Sequence, residues 1–262
     1  MLESVSSCHQ GKASEVNKAG VLDAPDIGLW AVVSDSEVRD DNLFAGDLAI
    51  KTIERQVSQG DKLEDAVVAA DKAIQLAVDQ EQSNHTSLIT AVAVQIHSSH
   101  YDLCWAGKSH AFLLGAGGEI SQLTGESHVD DRFAQGDGKQ FLECMGANRV
   151  PKLVGEFHDG DTLLLCSHDL TDVLSKEQIR DVFFTYDSLD ICSKALSDKC
   201  LETSRSPNHI LLRYREQTPE IKASDFKHRR PFDQSKYSEN VNARPLFLGL
   251  VALSILAILF LI

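Results

Sequence analysis

The chain has 262 residues, 43% hydrophobic and 24% charged, with a formal net charge of −14 from 39 acidic and 25 basic side chains. That length and mixture suit one sizeable globular domain or two small ones. The acidic balance excludes nucleic acid as a partner, because a phosphate backbone demands a concentrated positive surface.

Residues 1–10 are polar and hold no apolar h-region, so no signal peptide is expected. Residues 28–35, GLWAVVSD, read as a buried strand. The spacing of Leu48, Ile50, Ile53 and Val57 predicts a helix over 43–57. Leu63, Val67, Ala70, Ile74 and Val78 predict a second over 63–78, with Asp61 as its cap and Glu64 completing a capping-box-like pair. Strand-like runs follow at 87–96, 101–106 and 110–114, and residues 115–118 form a hairpin turn. Residues 130–141 are polar and read as a loop or short helix, and 162–166 read as an apolar strand. Two further helices are expected at 175–184, with Ser175 as cap and Gln178 as its capping-box partner, and at 189–201. A last strand covers 210–214. Strands rich in Val and Leu, interrupted by helical pairs, suggest an α+β layered fold.

The domain then occupies 1–215, and 216–244 is a polar linker containing Pro219 and Pro231. From 245 to 262 the chain reads PLFLGLVALSILAILFLI, without a charge. At about 1.5 Å per residue this run spans about 27 Å, close to the hydrocarbon thickness of a bilayer. A core or interfacial helix would carry a polar face, and this run has none. A C-terminal membrane anchor is therefore expected. Arg244, Arg230, Arg229 and His228 precede it and favour keeping the domain on the cytoplasmic side. The six cysteines, Cys8, Cys104, Cys144, Cys166, Cys192 and Cys200, form no CxxC pair. Buried free thiols in a reducing compartment are expected, not a disulfide framework or a zinc site. Cys166 lies in an apolar strand with no basic neighbour, which argues against a nucleophile.

Six blocks in order resemble the PP2C (PPM-type) protein phosphatase family. WAVVSD at 30–35 resembles the family strand and turn FAVADGMGG, and HTSL at 85–88 its GTT strand. AGKSHAFLL at 106–114 resembles VGDSRAYLL, and LTGESH at 123–128 resembles LTxDHS. The most specific match is DGDTLLLCSHDLTDVLS at 159–175, which resembles PGDxLLLCSDGLTDVLS, and PNHI at 207–210 resembles the closing DNIT strand. The resemblance covers about 11–214. It implies an αββα sandwich, two packed antiparallel sheets flanked by helices. It also implies two manganese or magnesium ions held by aspartates, which activate a bridging water toward a phosphoryl group.

This sequence departs from the family at the positions that chemistry uses. In the block aligned with RxxNED, the phosphate-binding arginine is Ser14 and the metal aspartate is Ala19. Ser34 stands where the bridging aspartate belongs, with Asp35, Glu37 and Val38 in place of glycines. Lys108 replaces the aspartate of GDSR, His168 the metal aspartate of SDGLTD, Asp169 its glycine, and Pro207 the aspartate of DNIT. Alanine and proline side chains have no ligand atom, so no metal cofactor is expected. Asp35, Glu37, His168 and Asp169 are the candidates for a shifted site, with Asp35 and Asp169 as alternative manganese or magnesium ligands. On a strand, however, a shift of one residue sends a side chain to the other face. His168 could instead ligate a softer ion such as zinc, and Lys108 could hold a phosphate as a point charge. Asp172 is expected to cap the following helix.

The reading is a membrane-anchored pseudophosphatase that binds a protein partner, a phosphoprotein or a kinase. One alternative is a divergent phosphatase that uses the shifted acids. Another is a structural subunit of a membrane assembly.

Overall fold

Alternating apolar residues along the strands place one set of side chains between two sheets and the other set under helices. The computed structural model describes residues 1–8, 20–35, 45–81, 88–125, 141–142, 150–203, 205 and 207–216. The first sheet is built from β1 (Leu2–Cys8), β6 (His110–Leu114), β7 (Ile120–Gln122), β10 (Thr162–Cys166) and β11 (Asn208–Tyr214), in the order β1-β11-β10-β6-β7. The second contains β2 (Gly20–Ala24), β3 (Leu29–Asp35), β4 (Leu88–His97), β5 (His100–Ala106) and β9 (Lys152–Glu156), in that order. All these pairings are antiparallel. The two-residue β8 (Phe141–Leu142) joins the start of β4 in parallel, so the one described part of the 130–141 stretch lies against a strand.

The helices are α1 (Ala45–Ser58), α2 (Leu63–Glu81), α3 (His168–Val173), α4 (Lys176–Thr185) and α5 (Leu189–Glu202), with a 3-10 turn at Pro25–Ile27. Period two on β3 sorts its residues. Trp30 and Val32 meet Val92, Leu103, Leu163, Leu165, Ile210 and Leu212 between the sheets, whereas Leu29, Ala31 and Val33 pack under α1 and α2. On the other sheet, Leu164, Cys166 and Leu211 pack under α3, α4 and α5. The result is the expected helix–sheet–sheet–helix layering, an α+β sandwich.

Ser175 caps α4 as the sequence predicts. Its Oγ accepts from the Gln178 N–H, and the Gln178 side chain accepts from the Ser175 N–H. Asp61 does not cap α2. Ala66 N–H donates to the Lys62 carbonyl, which puts Lys62 in the cap position and Asp61 one residue outside the helix. The linker at 216–244, Glu216 apart, and the run at 245–262 lie outside the described residues. Among the described residues no helix is long and apolar enough to cross a membrane.

Candidate functional site

One end of the sandwich gathers several of the positions aligned with the family's site, because six strand ends meet there. β3 arrives with Ser34, and β4 leaves with Thr90 opposite it. β5 ends at Ala106 and crosses to β6 in the other sheet through Gly107, Lys108 and Ser109. Gly107 has φ 67°, a left-handed conformation that glycine adopts without steric cost. β10 runs into Ser167 and His168, and Pro207 is buried directly before β11. The Ser167 N–H donates to the Asn208 carbonyl at 2.9 Å, which ties the ends of β10 and β11 together.

Ser34, 4% exposed, is part of a chain of hydroxyls. Its Oγ lies 3.0 Å from Thr90 Oγ1, and Ser109 donates to the same Thr90 oxygen at 2.9 Å. Thr90 is 1% exposed and Ser109 fully buried. Three neutral side chains thus satisfy one another where the resemblance places the bridging aspartate. Lys108 is exposed on the crossing turn next to them.

A second group forms where β10 meets α3. One ligand atom from each of His168, Asp169 and Asp172 lies within 4.8 Å of the others. His168 Nε2 is 3.8 Å from Asp169 Oδ1, and its Nδ1 is buried without a hydrogen-bond partner. Arg205 spans both acids, with Nη1 3.1 Å from Asp169 Oδ1 and Nη2 3.3 Å from Asp172 Oδ2. Asp172 therefore does not cap the next helix. It lies inside α3 and faces Arg205, while Ser175 supplies the cap.

The structure brings Ser34, Lys108, His168, Asp169 and Pro207 to this end. Asp35 closes β3 in register with Ile89, so it is a ladder residue. Its side chain, together with Ser14, Ala19 and Glu37, lies outside what is described. Two hard divalent cations require several convergent oxygen donors, mostly carboxylates. Among the described residues the family-aligned positions at this end and their partners offer hydroxyls bonded to one another, a proline, the His168 imidazole and two carboxylates already bound to a guanidinium. That donor set does not fit a binuclear cation centre.

Two cysteines near this end are pushed away from reactivity. Burial, with the Asp169 charge second, raises Cys200 to about 11. Burial raises Cys166 further still, with Cys200 second. Both thiols stay protonated at neutral pH, in line with the inert reading of Cys166. Thr90, Ser109 and Arg205 were missed by the sequence reading. Ser109 lies within the block AGKSHAFLL and could have been noticed as the serine that the family phrase also carries. Arg205 sits in a short polar stretch with no pattern to single it out.

No protein-family model and no curated protein matches this sequence. Solved structures do match. PppA, a key regulatory component of T6SS in Pseudomonas aeruginosa, superposes with a TM-score of 0.68 at 18% identity, over 81% of this chain and 98% of its own. The catalytic domain of the serine/threonine phosphatase PstP, in complex with two manganese ions, gives 0.66 at 19% identity, over 82% and 99%. The PPM Ser-Thr phosphatase MsPP from Mycobacterium smegmatis gives 0.63 at 18% identity, over 82% and 98%. At these identities the likeness is one of fold: the chain has the PP2C (PPM-type) phosphatase fold, two antiparallel sheets with helices, in a divergent sequence.

Proposed function

We propose that this chain is a membrane-anchored pseudophosphatase that binds a protein partner, a phosphoprotein or a kinase, and does not hydrolyse it. The supporting observation is the buried Ser34–Thr90–Ser109 hydroxyl chain, which stands where an active member of the family needs a metal-bridging aspartate. The partner docks on the end of the sandwich where Ser34, Lys108 and His168 meet. There Lys108 offers an exposed positive charge. The run 245–262 anchors the protein, with the domain on the cytoplasmic side. Tethering raises the local concentration of the domain at the membrane without new contacts. PppA, of like fold, is a regulatory component, and a regulatory role fits here too.

Calorimetric titration with manganese and magnesium, combined with turnover of an aryl phosphate, tests the reading. Neither binding of two ions nor turnover is expected. Metal-dependent turnover abolished by Asp35→Ala or Asp169→Ala would overturn it in favour of a divergent phosphatase. Partner capture from lysate with and without phosphatase pre-treatment separates phospho-dependent docking from constitutive assembly. Deleting 245–262 is expected to release the protein from sedimenting membranes.

A further inference from the structure

The opposite end of the first sheet carries a pocket that the degenerate site does not use. Thr162 opens β10 and Cys166 closes it, so the two ends lie about 13 Å apart at about 3.3 Å per residue. Leu114, Thr162 and Arg213 sit side by side on β6, β10 and β11 and form the floor. The hairpin turn after β6 and the C-terminal half of α4 form the walls around a volume of about 550 Å³.

Three arginines line it, Arg180, Arg213 and Arg215, against two acids, Glu119 and Asp187. A net positive concavity is unexpected in a chain of charge −14. Arg213 is oriented by neutral acceptors: Nε donates to Thr162 Oγ1 at 3.1 Å and Nη1 to the Asp187 carbonyl at 2.5 Å. These bonds hold the guanidinium and leave its charge uncancelled. Arg215 is fixed through its main chain, which exchanges hydrogen bonds with Met1, and its side chain has no ion pair among the described residues. Among the described residues Arg180 pairs only with its exposed neighbour Asp181, at 3.2 Å. Phe184 is 64% exposed yet packed, since a Cβ on Gly118 would fall 2.1 Å from its ring. Gly118 has φ 95°, so glycine both makes the turn and seats the phenyl ring.

We propose that this pocket binds a phosphorylated peptide segment, with the phosphate between Arg213 and Arg215 and a neighbouring apolar side chain on Phe184. A carboxylate is satisfied by one guanidinium. A phosphomonoester carries about −1.5 to −2 charges and three acceptor oxygens, and it uses several. Arginine with an exposed aromatic ring is also the side-chain combination that anchors protein partners. The proposal stands or falls independently of docking at the Lys108 end.

The full chain in detergent micelles is titrated with a fluorescein-labelled phosphoserine peptide flanked by leucines. The unphosphorylated peptide, a glutamate version and ADP serve as parallel probes. Only the phosphopeptide is expected to bind, with displacement by phenyl phosphate and loss of affinity as salt rises. Arg215→Ala, which touches no folding contact of that side chain, is expected to weaken binding by about tenfold, as for a lost charge-assisted hydrogen bond. Arg213→Ala should do at least as much, with circular dichroism confirming the fold, and Arg215→Lys should restore part of the affinity. The proposal is overturned if the phosphopeptide fails to bind or binds no better than its unphosphorylated form. It is also overturned if ADP binds more tightly, or if Lys108→Ala abolishes binding while Arg215→Ala leaves it intact.

Discussion

Ser34, Thr90 and Ser109 show how a polar group can close on itself at the end of a sandwich. Each hydroxyl is buried and each is satisfied by another, so the group has little cause to recruit an ion. Thr90 is the shared member. Thr90→Val keeps the shape but removes its oxygen, leaving the Ser34 and Ser109 hydroxyls without that partner, at a cost of about 1–3 kcal/mol. Urea unfolding would measure it; a change below a few tenths would mean the chain contributes nothing. Arg205 is different, being half exposed. Arg205→Ala should cost no more than about 1 kcal/mol, and the loss should shrink in high salt. That Ala19 and Pro207 carry no donor atom is legible in the sequence, whatever the fold does. The contacts among the polar residues at this end were not legible. The contact from Arg205 to Asp169 joins residues 36 apart, and the Ser34–Thr90 contact joins residues 56 apart. No local pattern encodes such pairings.

At the scale of elements, the sequence spoke clearly where a period repeats. The strand at 110–114 and the strand at 162–166 appear with the bounds read from the sequence, and α4 and α5 appear within one residue of theirs. Ser175 and Gln178 announced a helix start by local chemistry alone. Ser175→Ala removes that cap and should cost about 1 kcal/mol, read as a lowered melting midpoint with no change in the sheets. The strands that went unread are β1, β2, β7, β8 and β9. β1 has only Leu2, Val5 and Cys8 as apolar residues, so no alternation marks it. It exists because all seven of its residues find partners along β11. β9 is an edge strand whose Val154 is 66% exposed, so only Leu153 of its two apolar residues reports a core. α3 is only six residues long, too short for a helical period to show.

At the scale of the whole molecule, the two sheets share one interior and each has a helical cover. Leu165 sits fully buried between the sheets. Leu165→Ala should cost about 2–5 kcal/mol, seen as a lower urea midpoint with an unchanged slope. The buried thiols, which lie between each sheet and its helices, make the fold sensitive to alkali. Burial, with the Glu64 and Asp102 carboxylates after it, pushes Cys104 from an ordinary value of 9.0 up to about 12. Cys200 is raised to about 11. In the unfolded chain both ionise near 9, whereas the folded state holds them protonated. Their contribution is complete below pH 9 and is lost between pH 9 and pH 11–12. Stability measured at pH 8 and pH 10.5 should therefore fall, and Cys104→Ala should flatten the decline.

The pairing of β1 with β11 also brings the extremities of the folded domain together, for the Met1 amino group donates to the Arg215 carbonyl at 2.5 Å. A short peptide bridge would splice these ends into a ring without disturbing any strand. New ends could be opened at Gly60, between α1 and α2, where an added Cβ would meet no atom within 4 Å. Such a rewired chain would keep the sandwich while moving its termini to the α1–α2 turn, because loop closure over so small a gap costs little configurational freedom.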